Sequence, residues 1–298
     1  MAYVALCTVL TVGGVGLTQV HGTLGWVAWT VGQGVLAVAL LQWFVLLHEC
    51  GHGVLFRNRV ANRLVGHLAG WFSTIPYSSW KPIHNLHHKW TGWQDLDPTT
   101  QSLVPRQLKP FERALMNLCW RFWIPAFTVL YRLSNFWNLP RLRSFRRVDV
   151  TAVTIEIVWM FLTYGAIVAW VGPLSLLVAV GPAFVLSLML IEPIMMSQHT
   201  HVPQKLSGGE DVPAHAAAAQ VPFTRSLVFP AWFSRFVLVG FDAHELHHAY
   251  PAVPGYRLSE IDWEPPGRFD WLRWLVAVRS MRGEDFLFRN RDQTGMDV

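Results

Sequence analysis

The sequence predicts an all-α integral membrane protein in which four transmembrane helices carry a cytosolic helical cap with a histidine-rich di-metal site. Hydrophobic residues make up 52% of the 298 residues and charged residues only 14%, whereas ordinary soluble domains have about 25% charged residues. The apolar residues are concentrated in two long blocks, and eight of the 13 histidines fall into three short clusters. We expect one domain over residues 1–298.

The first apolar block contains two predicted transmembrane helices. Glu49 is the first charged residue of the chain, and the stretch before it is about twice as long as the roughly 20 residues that one helical span needs. The polar and flexible residues at 21–23 divide the block. We therefore expect spans at about 4–20 and 24–47.

The second apolar block, about 150–196, is interrupted by Gly172 and Pro173. This pair favours a turn. The block therefore predicts two further spans, at about 150–171 and 174–196.

The basic residues predict the orientation. All 24 Lys and Arg lie between residues 57 and 147 or between 205 and 291, and the turns at 21–23 and 171–174 contain none. By the positive-inside rule both termini and the metal site lie in the cytosol. The net charge of +5 suits the headgroups of membrane lipids and acidic partners. Without a recognised binding motif it does not indicate nucleic acid.

The three histidine clusters are candidate metal ligands. Side chains at positions i, i+3 and i+4 share one face of a helix, so each cluster can direct its imidazoles towards one point. Imidazole suits iron, zinc or copper. The first cluster ends the second predicted span and the others lie in the cytosolic windows, so the three can meet. The clusters are HECGH with His48 and His52, HNLHH with His84, His87 and His88, and HELHH with His244, His247 and His248.

Two of the clusters also spell HExxH, in which two histidines bind zinc and the glutamate acts as general base. An intramembrane zinc protease is therefore an alternative. Eight histidines exceed the four ligands that one zinc ion takes, which favours two metal ions. Glu49 and Glu245 would then support imidazole tautomers or neighbouring helices.

The clusters and their surroundings resemble the three histidine boxes of the membrane fatty acid desaturase and hydroxylase superfamily over roughly residues 45–260. The residues that carry this resemblance are HECGH with Gly53 and Phe56, then Pro76, Tyr77 and Trp80 before HNLHH, then Asp97 and Pro98, and HELHH with Pro251 and Pro254.

The resemblance implies two iron ions, activation of O2 with two electrons, and a long-chain acyl or other apolar lipid as substrate. It implies no catalytic residues beyond the metal ligands. We expect a separate electron donor of the ferredoxin or cytochrome b5 type, because no fused cytochrome b5 signature is recognised. Dehydrogenation by a fatty acyl desaturase is the leading interpretation. A carotenoid-type or alkyl hydroxylase or ketolase on the same scaffold is the alternative, and a metal carrier is a lesser one.

The resemblance also implies a further histidine ligand after the last span. His199 lies at the predicted cytosolic end of the fourth span, with His201 as the possible alternative. Where the acyl-CoA type tends to have an amide side chain one turn earlier, this chain has Met195, which disfavours that subtype.

Five carboxylates are expected to support the ligands. Glu192 lies inside a predicted span, where a carboxylate needs a partner, and it precedes His199 by two helical turns. The five are Glu49, Asp97, Glu192, Asp242 and Glu245.

Overall fold

The computed structural model describes residues 1–296 and is mostly helical. Its helices are, in chain order, α1 (Ala2–Thr18), α2 (Gly25–His52), α3 (Arg59–Ser73), α4 (Tyr77–Trp90), α5 (Pro110–Arg121), α6 (Ala126–Arg132), α7 (Leu139–Leu142), α8 (Val150–Val171), α9 (Pro173–His199), α10 (Ala231–Phe233), α11 (His244–Ala249), α12 (Trp271–Ser280), α13 (Gly283–Phe288) and α14 (Arg291–Thr294). Short segments of 3₁₀ and π helix also occur, among them the 3₁₀ helix Ala217–Phe223.

A small sheet accompanies these helices, which the all-helical prediction did not include. Strands β1 (Ser226–Val228) and β2 (Arg268–Asp270) pair in parallel, with Leu227 opposite Phe269. The hydroxyl of Ser226 accepts a hydrogen bond of 3.0 Å from the backbone N–H of Glu245. The pair therefore helps to fix the first turn of α11.

Helices α2, α8 and α9 are long and apolar enough to cross a membrane. They correspond to the predicted spans 24–47, 150–171 and 174–196. Helices α2 and α9 continue to His52 and His199, so both carry candidate ligands at their last turn. The first predicted span falls on α1, which has 17 residues and is shorter than the roughly 20 residues of a usual span. Within residues 1–296, only three spans are therefore supported by length.

The chain divides into two compact units. Unit 1 contains residues 1–82 and 132–191, and unit 2 contains residues 83–131 and 192–298. Within unit 1, α8 presents apolar side chains outward, including Trp159, Phe161 and Leu162, which are each more than 60% exposed. Such a surface is suited to lipid.

In unit 1, α1 and α2 pack closely through glycines. A Cβ on Gly32 would lie 2.9 Å from the carbonyl oxygen of Gly14, so a side chain there would force the helices apart. Further along the pair, the thiol of Cys7 donates to the carbonyl of Ala39.

The side-chain amide of Gln33 in α2 hydrogen-bonds to backbone groups of α9 where Pro182 interrupts the helical hydrogen bonding. Pro182 has no backbone N–H, and this leaves the carbonyl of Val178 without its helical partner. The Gln33 Nε2 donates to the carbonyls of Val178 and Ala179, and its Oε1 accepts from the N–H of Ala183. Because lipid offers no hydrogen bonds to a backbone, such repair inside a span stabilises the helix pair.

A carboxylate of α8 holds the start of α4 within unit 1. Glu156 accepts hydrogen bonds from the backbone N–H groups of Tyr77 and Ser78, at 3.1 and 2.8 Å. It also lies 2.7 Å from Nδ1 of His67. The first turn of α4 is thus anchored through its otherwise unpaired amides.

Unit 2 has its own apolar core. Trp120 of α5 stacks on Phe286 of α13, with ring centroids 4.7 Å apart. Trp274 and Val278 of α12 and Leu227 of β1 complete this cluster. Met196, near the end of α9, packs against this core.

Candidate metal centre

One histidine group in unit 2 joins α4 to α11. We call it the first histidine group, and it contains His84, His88 and His247. Nε2 of His88 lies 3.2 Å from Nε2 of His84 and 3.0 Å from Nε2 of His247. The candidate ligand atoms of these residues all lie within 4.8 Å of one another.

The second histidine group brings together four residues of unit 2, namely His87, His199, His244 and His248. Nε2 of His244 lies 2.8 Å from Nε2 of His199 and 3.0 Å from Nε2 of His248. The rings of His87 and His199 are 4.5 Å apart between centroids. Helices α4, α9 and α11 therefore all contribute to this group.

Hydrogen bonds at Nδ1 set the tautomers in the second group. Nδ1 of His199 lies 3.2 Å from the carbonyl oxygen of Phe223, which can only accept. Nδ1 of His248 lies 2.8 Å from Oε1 of Gln220, and Nδ1 of His87 lies 2.6 Å from Oδ2 of Asp97. A neutral imidazole carries one N–H, so these three histidines donate from Nδ1 and present a lone pair at Nε2.

This arrangement fits a metal ion. The Nε2 lone pairs of His199 and His248 both approach Nε2 of His244, which has at most one proton to share between them. A cation at the centre of such a donor set would satisfy the lone pairs together. Hydrogen bonding of the outer ring nitrogen to a carbonyl or carboxylate is the usual arrangement of metal-bound histidine.

The protonation states favour the same interpretation. Burial, followed by the neighbouring imidazoles, lowers the pKa of His248 well below its usual value, so its ring is neutral and available for coordination. Burial opposes ionisation of Asp97, but the attraction and hydrogen bond of His87 outweigh it and lower the pKa of the carboxyl. Asp97 is therefore an anion that orients His87.

Arg225 holds the end of α9 and with it His199. Its buried guanidinium donates to the carbonyls of Ser197 and Thr200, at 2.8 and 2.9 Å. Its backbone N–H donates to the carbonyl of Gln198. These carbonyls end a helix and have no partner within it.

His201, the alternative ligand, lies outside both histidine groups. Nε2 of His201 lies 2.7 Å from Oγ1 of Thr294, and its backbone has the left-handed φ of +63°. The helix has ended at His199, and the reversal turns the two histidines in different directions.

The first box lies in unit 1, on the last turn of α2. The rings of His48 and His52 are 4.9 Å apart between centroids, and the His48 ring meets the edge of Trp80. Gly51 makes this packing possible, because a Cβ there would lie 2.1 Å from Cζ3 of Trp80. Helical spacing thus places both histidines on one face, as predicted.

The predicted supporting carboxylates differ in their contacts. Asp97 contacts His87, and Oε1 of Glu49 lies 3.2 Å from Nδ1 of His48. Glu192 accepts from the backbone N–H of Thr128, Asp242 from the hydroxyl of Ser234, and Glu245 from the N–H of Gly267. Burial raises the pKa of Asp242 to about 6 and raises that of Glu245.

The sequence interpretation missed three residues that contact the histidines or their backbone. Gln220 lies between histidines of both groups, Thr99 lies beside His87 and Asp97, and Arg225 holds the end of α9. None belongs to a box. The run of alanines before Gln220 gave no signal, whereas the short spacing of Asp97 and Thr99 is a recognisable turn pattern.

The described residues define a protein with membrane-length helices and two histidine groups that can each hold a metal ion. The family model described as fatty acid desaturase matches residues 24–274. The chain therefore belongs to the fatty acid desaturase family, as the sequence predicted.

Relatives that carry desaturase names resemble the chain at low identity. It is 28% identical to the sn-1 oleoyl-lipid 12-desaturase of Picosynechococcus over 74% of this chain and 64% of the relative. It is 25% identical to a chloroplastic sn-2 acyl-lipid omega-3 desaturase (ferredoxin) of Helianthus annuus, over 87% of this chain and 60% of the relative. It is also 25% identical to an endoplasmic-reticulum acyl-lipid omega-3 desaturase (cytochrome b5) of Arabidopsis thaliana, over 79% of this chain and 62% of the relative. The chain thus spans less than two thirds of the length of these relatives.

Proposed function

We propose that the protein is an O2-dependent desaturase that introduces a double bond into the acyl chain of a membrane lipid. The observation that carries this proposal is the pair of all-histidine groups within a chain of the desaturase family. Two separate donor sets match a reaction that needs two metal ions. A zinc protease would leave most of these histidines without a role.

We propose nine histidine ligands for two iron ions. Seven are the members of the two histidine groups, and His48 and His52 are added because the first box belongs to the motif that the family shares. Imidazole nitrogen is a suitable ligand for iron. The full set is His48, His52, His84, His87, His88, His199, His244, His247 and His248.

Iron, when bound, supplies the activation of O2 and the removal of hydrogen from an unactivated methylene. The side chains of this protein orient the ligands and hold their protons away from the metal. Asp97 keeps the His87 proton on Nδ1, and the carbonyl of Phe223 does the same for His199. Arg225 fixes the backbone from which His199 projects.

Substrate and donor are proposed from chemistry and from the names of the relatives. The apolar exposed surface of α8 suits a substrate that reaches the protein from the bilayer. The three named relatives are lipid desaturases by name, and two of them carry ferredoxin or cytochrome b5 in their names. We propose an acyl lipid as substrate and a small one-electron carrier of either type as donor.

For the membrane arrangement we propose four crossings, with α1 as the first and with both termini and the metal site in the cytosol. The distribution of Lys and Arg supports this orientation. The family model extends across residues of both units, which supports a single functional domain.

Product analysis tests the function. Lipids from cells with and without the gene should differ by chains that have lost two hydrogens, detected by mass spectrometry and dependent on O2. A hydroxylated or keto product would instead identify a hydroxylase or ketolase on this scaffold. Absence of any O2-dependent product, with donor present and two iron ions bound, would refute an oxidoreductase function.

A further inference from the structure

Gln220 occupies a buried position beside both histidine groups. It lies in the 3₁₀ helix Ala217–Phe223 and is 3% exposed. Its Nε2 donates to the carbonyl oxygen of His88 at 2.6 Å and to that of His215 at 3.2 Å. Its Oε1 lies 2.8 Å from Nδ1 of His248.

These partners fix the orientation of the amide. Both carbonyl oxygens can only accept, so the NH₂ end of Gln220 must face them. The oxygen end then faces His248, whose Nδ1 must carry the proton. Nε2 of His248 is consequently left with its lone pair inside the second histidine group.

The same amide also ties together the two groups. His88 belongs to the first group and His248 to the second, and their rings stack with centroids 4.3 Å apart. The amide holds the backbone at His88 with one end and the ring of His248 with the other. A displacement of α4 relative to α11 would break at least one of these bonds.

We propose that Gln220 is a positioning residue for the di-metal centre, which selects the coordinating nitrogen of His248 and fixes the relative position of the two histidine groups. This inference rests on the proposed role of His248 and His88 as ligands. It gives a function to an amide that lies outside every histidine box. It also predicts that a change at either end of the side chain alters the metal site.

Two substitutions separate the two ends. Gln220→Leu removes both the donor and the acceptor while keeping a similar side-chain volume. His248 can then adopt the other tautomer, and the carbonyl oxygen of His88 loses the hydrogen bond from Gln220. Gln220→Glu keeps an acceptor for Nδ1 of His248 but places an oxygen against two carbonyl oxygens. A carboxylate partner makes an imidazole more basic, so this variant changes the electronic properties of the second group.

The test measures metal binding in two separate series, one with Co(II) as a spectroscopic probe and one with Fe(II). Purified wild type, Gln220→Leu and Gln220→Glu are compared by metal content, by competition with a chelator and by the visible absorption of bound Co(II). Gln94→Leu is the matched control, because Gln94 is an amide in the same unit whose Nε2 donates to the carbonyl of Leu103.

We expect Gln220→Leu to bind metal about 10- to 100-fold more weakly, as is usual when an outer hydrogen-bonding partner of a ligand is lost. Gln220→Glu should retain metal with a shifted Co(II) spectrum, and Gln94→Leu should match wild type. Wild-type affinity and spectrum in Gln220→Leu would overturn the inference. If that variant does not fold, a wild-type spectrum and affinity in Gln220→Glu would overturn it equally. Failure of the wild type to bind two ions would instead refute the proposed function.

Discussion

Oδ2 of Asp97 lies 2.6 Å from Nδ1 of His87, and both side chains are buried. Thr99 fixes the carboxylate from the other side, because its backbone N–H and its hydroxyl both donate to Oδ1 of Asp97. The ring of His87 is therefore held in one orientation, with Nε2 directed into the second histidine group.

Replacement of Asp97 by Ala should weaken metal binding by about 10- to 100-fold, because His87 loses the partner that fixes its tautomer and orientation. Metal affinity is measured by chelator competition on the purified protein. Asp95→Ala is the control, since Asp95 accepts hydrogen bonds from Ser207 and Gly208 in the same unit. Equal affinities in the two variants would argue against a role for Asp97 at the site.

Replacement of His199 by Ala should remove metal and product formation, whereas His201→Ala should retain both. The reason is that His199 belongs to the second histidine group, while His201 contacts Thr294. Iron content and lipid products are measured for both variants. Loss of iron in His201→Ala with full activity in His199→Ala would transfer the assignment to His201.

The control for this comparison should be His21→Ala, at an exposed position. His67, another histidine outside the boxes, is less suitable as a control. Nδ1 of His67 lies 2.7 Å from Glu156, which anchors the first turn of α4. A change at His67 is therefore expected to disturb the helix that carries the second box.

Replacement of Gly51 by Ala should lower the free energy of unfolding by about 1–3 kcal/mol, the usual cost of overpacking. The new methyl group would meet the ring of Trp80 and displace the first box. Thermal unfolding in detergent and iron content are measured together. Gly53→Ala is the control, because Gly53 has a φ of +73° and open space around it. It should cost about 1–2 kcal/mol through backbone strain and leave iron content unchanged.

Replacement of Arg225 by Met should lower the free energy of unfolding by roughly 3 kcal/mol, because it leaves buried carbonyls of the α9 end without a donor. Thermal unfolding measures the loss, and iron content should fall with it as His199 moves. Arg235→Met is the control, since Arg235 is exposed and stacks on Phe236. A melting temperature for Arg225→Met equal to that of the control would contradict the role assigned to this guanidinium.

Tags at the two termini should both be accessible from the cytosol, because the four crossings that we propose return the chain to the side on which it began. Protease protection or a reporter fused to each end measures this. A tag just before residue 25 should be inaccessible from the cytosol if α1 crosses the membrane. Cytosolic access at that position would mean that α1 does not cross and that the number of crossings is three.

The sequence by itself determined the long apolar helices and the three histidine boxes. Hydropathy and helical spacing are local properties, and the predicted bounds at 150–171 agree with α8. The family also followed from the boxes, because their spacing is written in the chain. These inferences needed no knowledge of which side chains meet.

Only the tertiary structure decided how the histidines are shared between groups. Adjacent residues of the second box separate, with His87 in the second group and His88 in the first. Adjacent residues on a helix are about 100° apart and therefore face different neighbours. The sequence motif does not show which neighbours His87 and His88 will have. The partners of the rings, from Asp97 to Gln220 and the carbonyl of Phe223, come from turns whose course depends on packing. Their roles arise from hydrogen bonds between distant parts of the chain, which a local pattern does not encode.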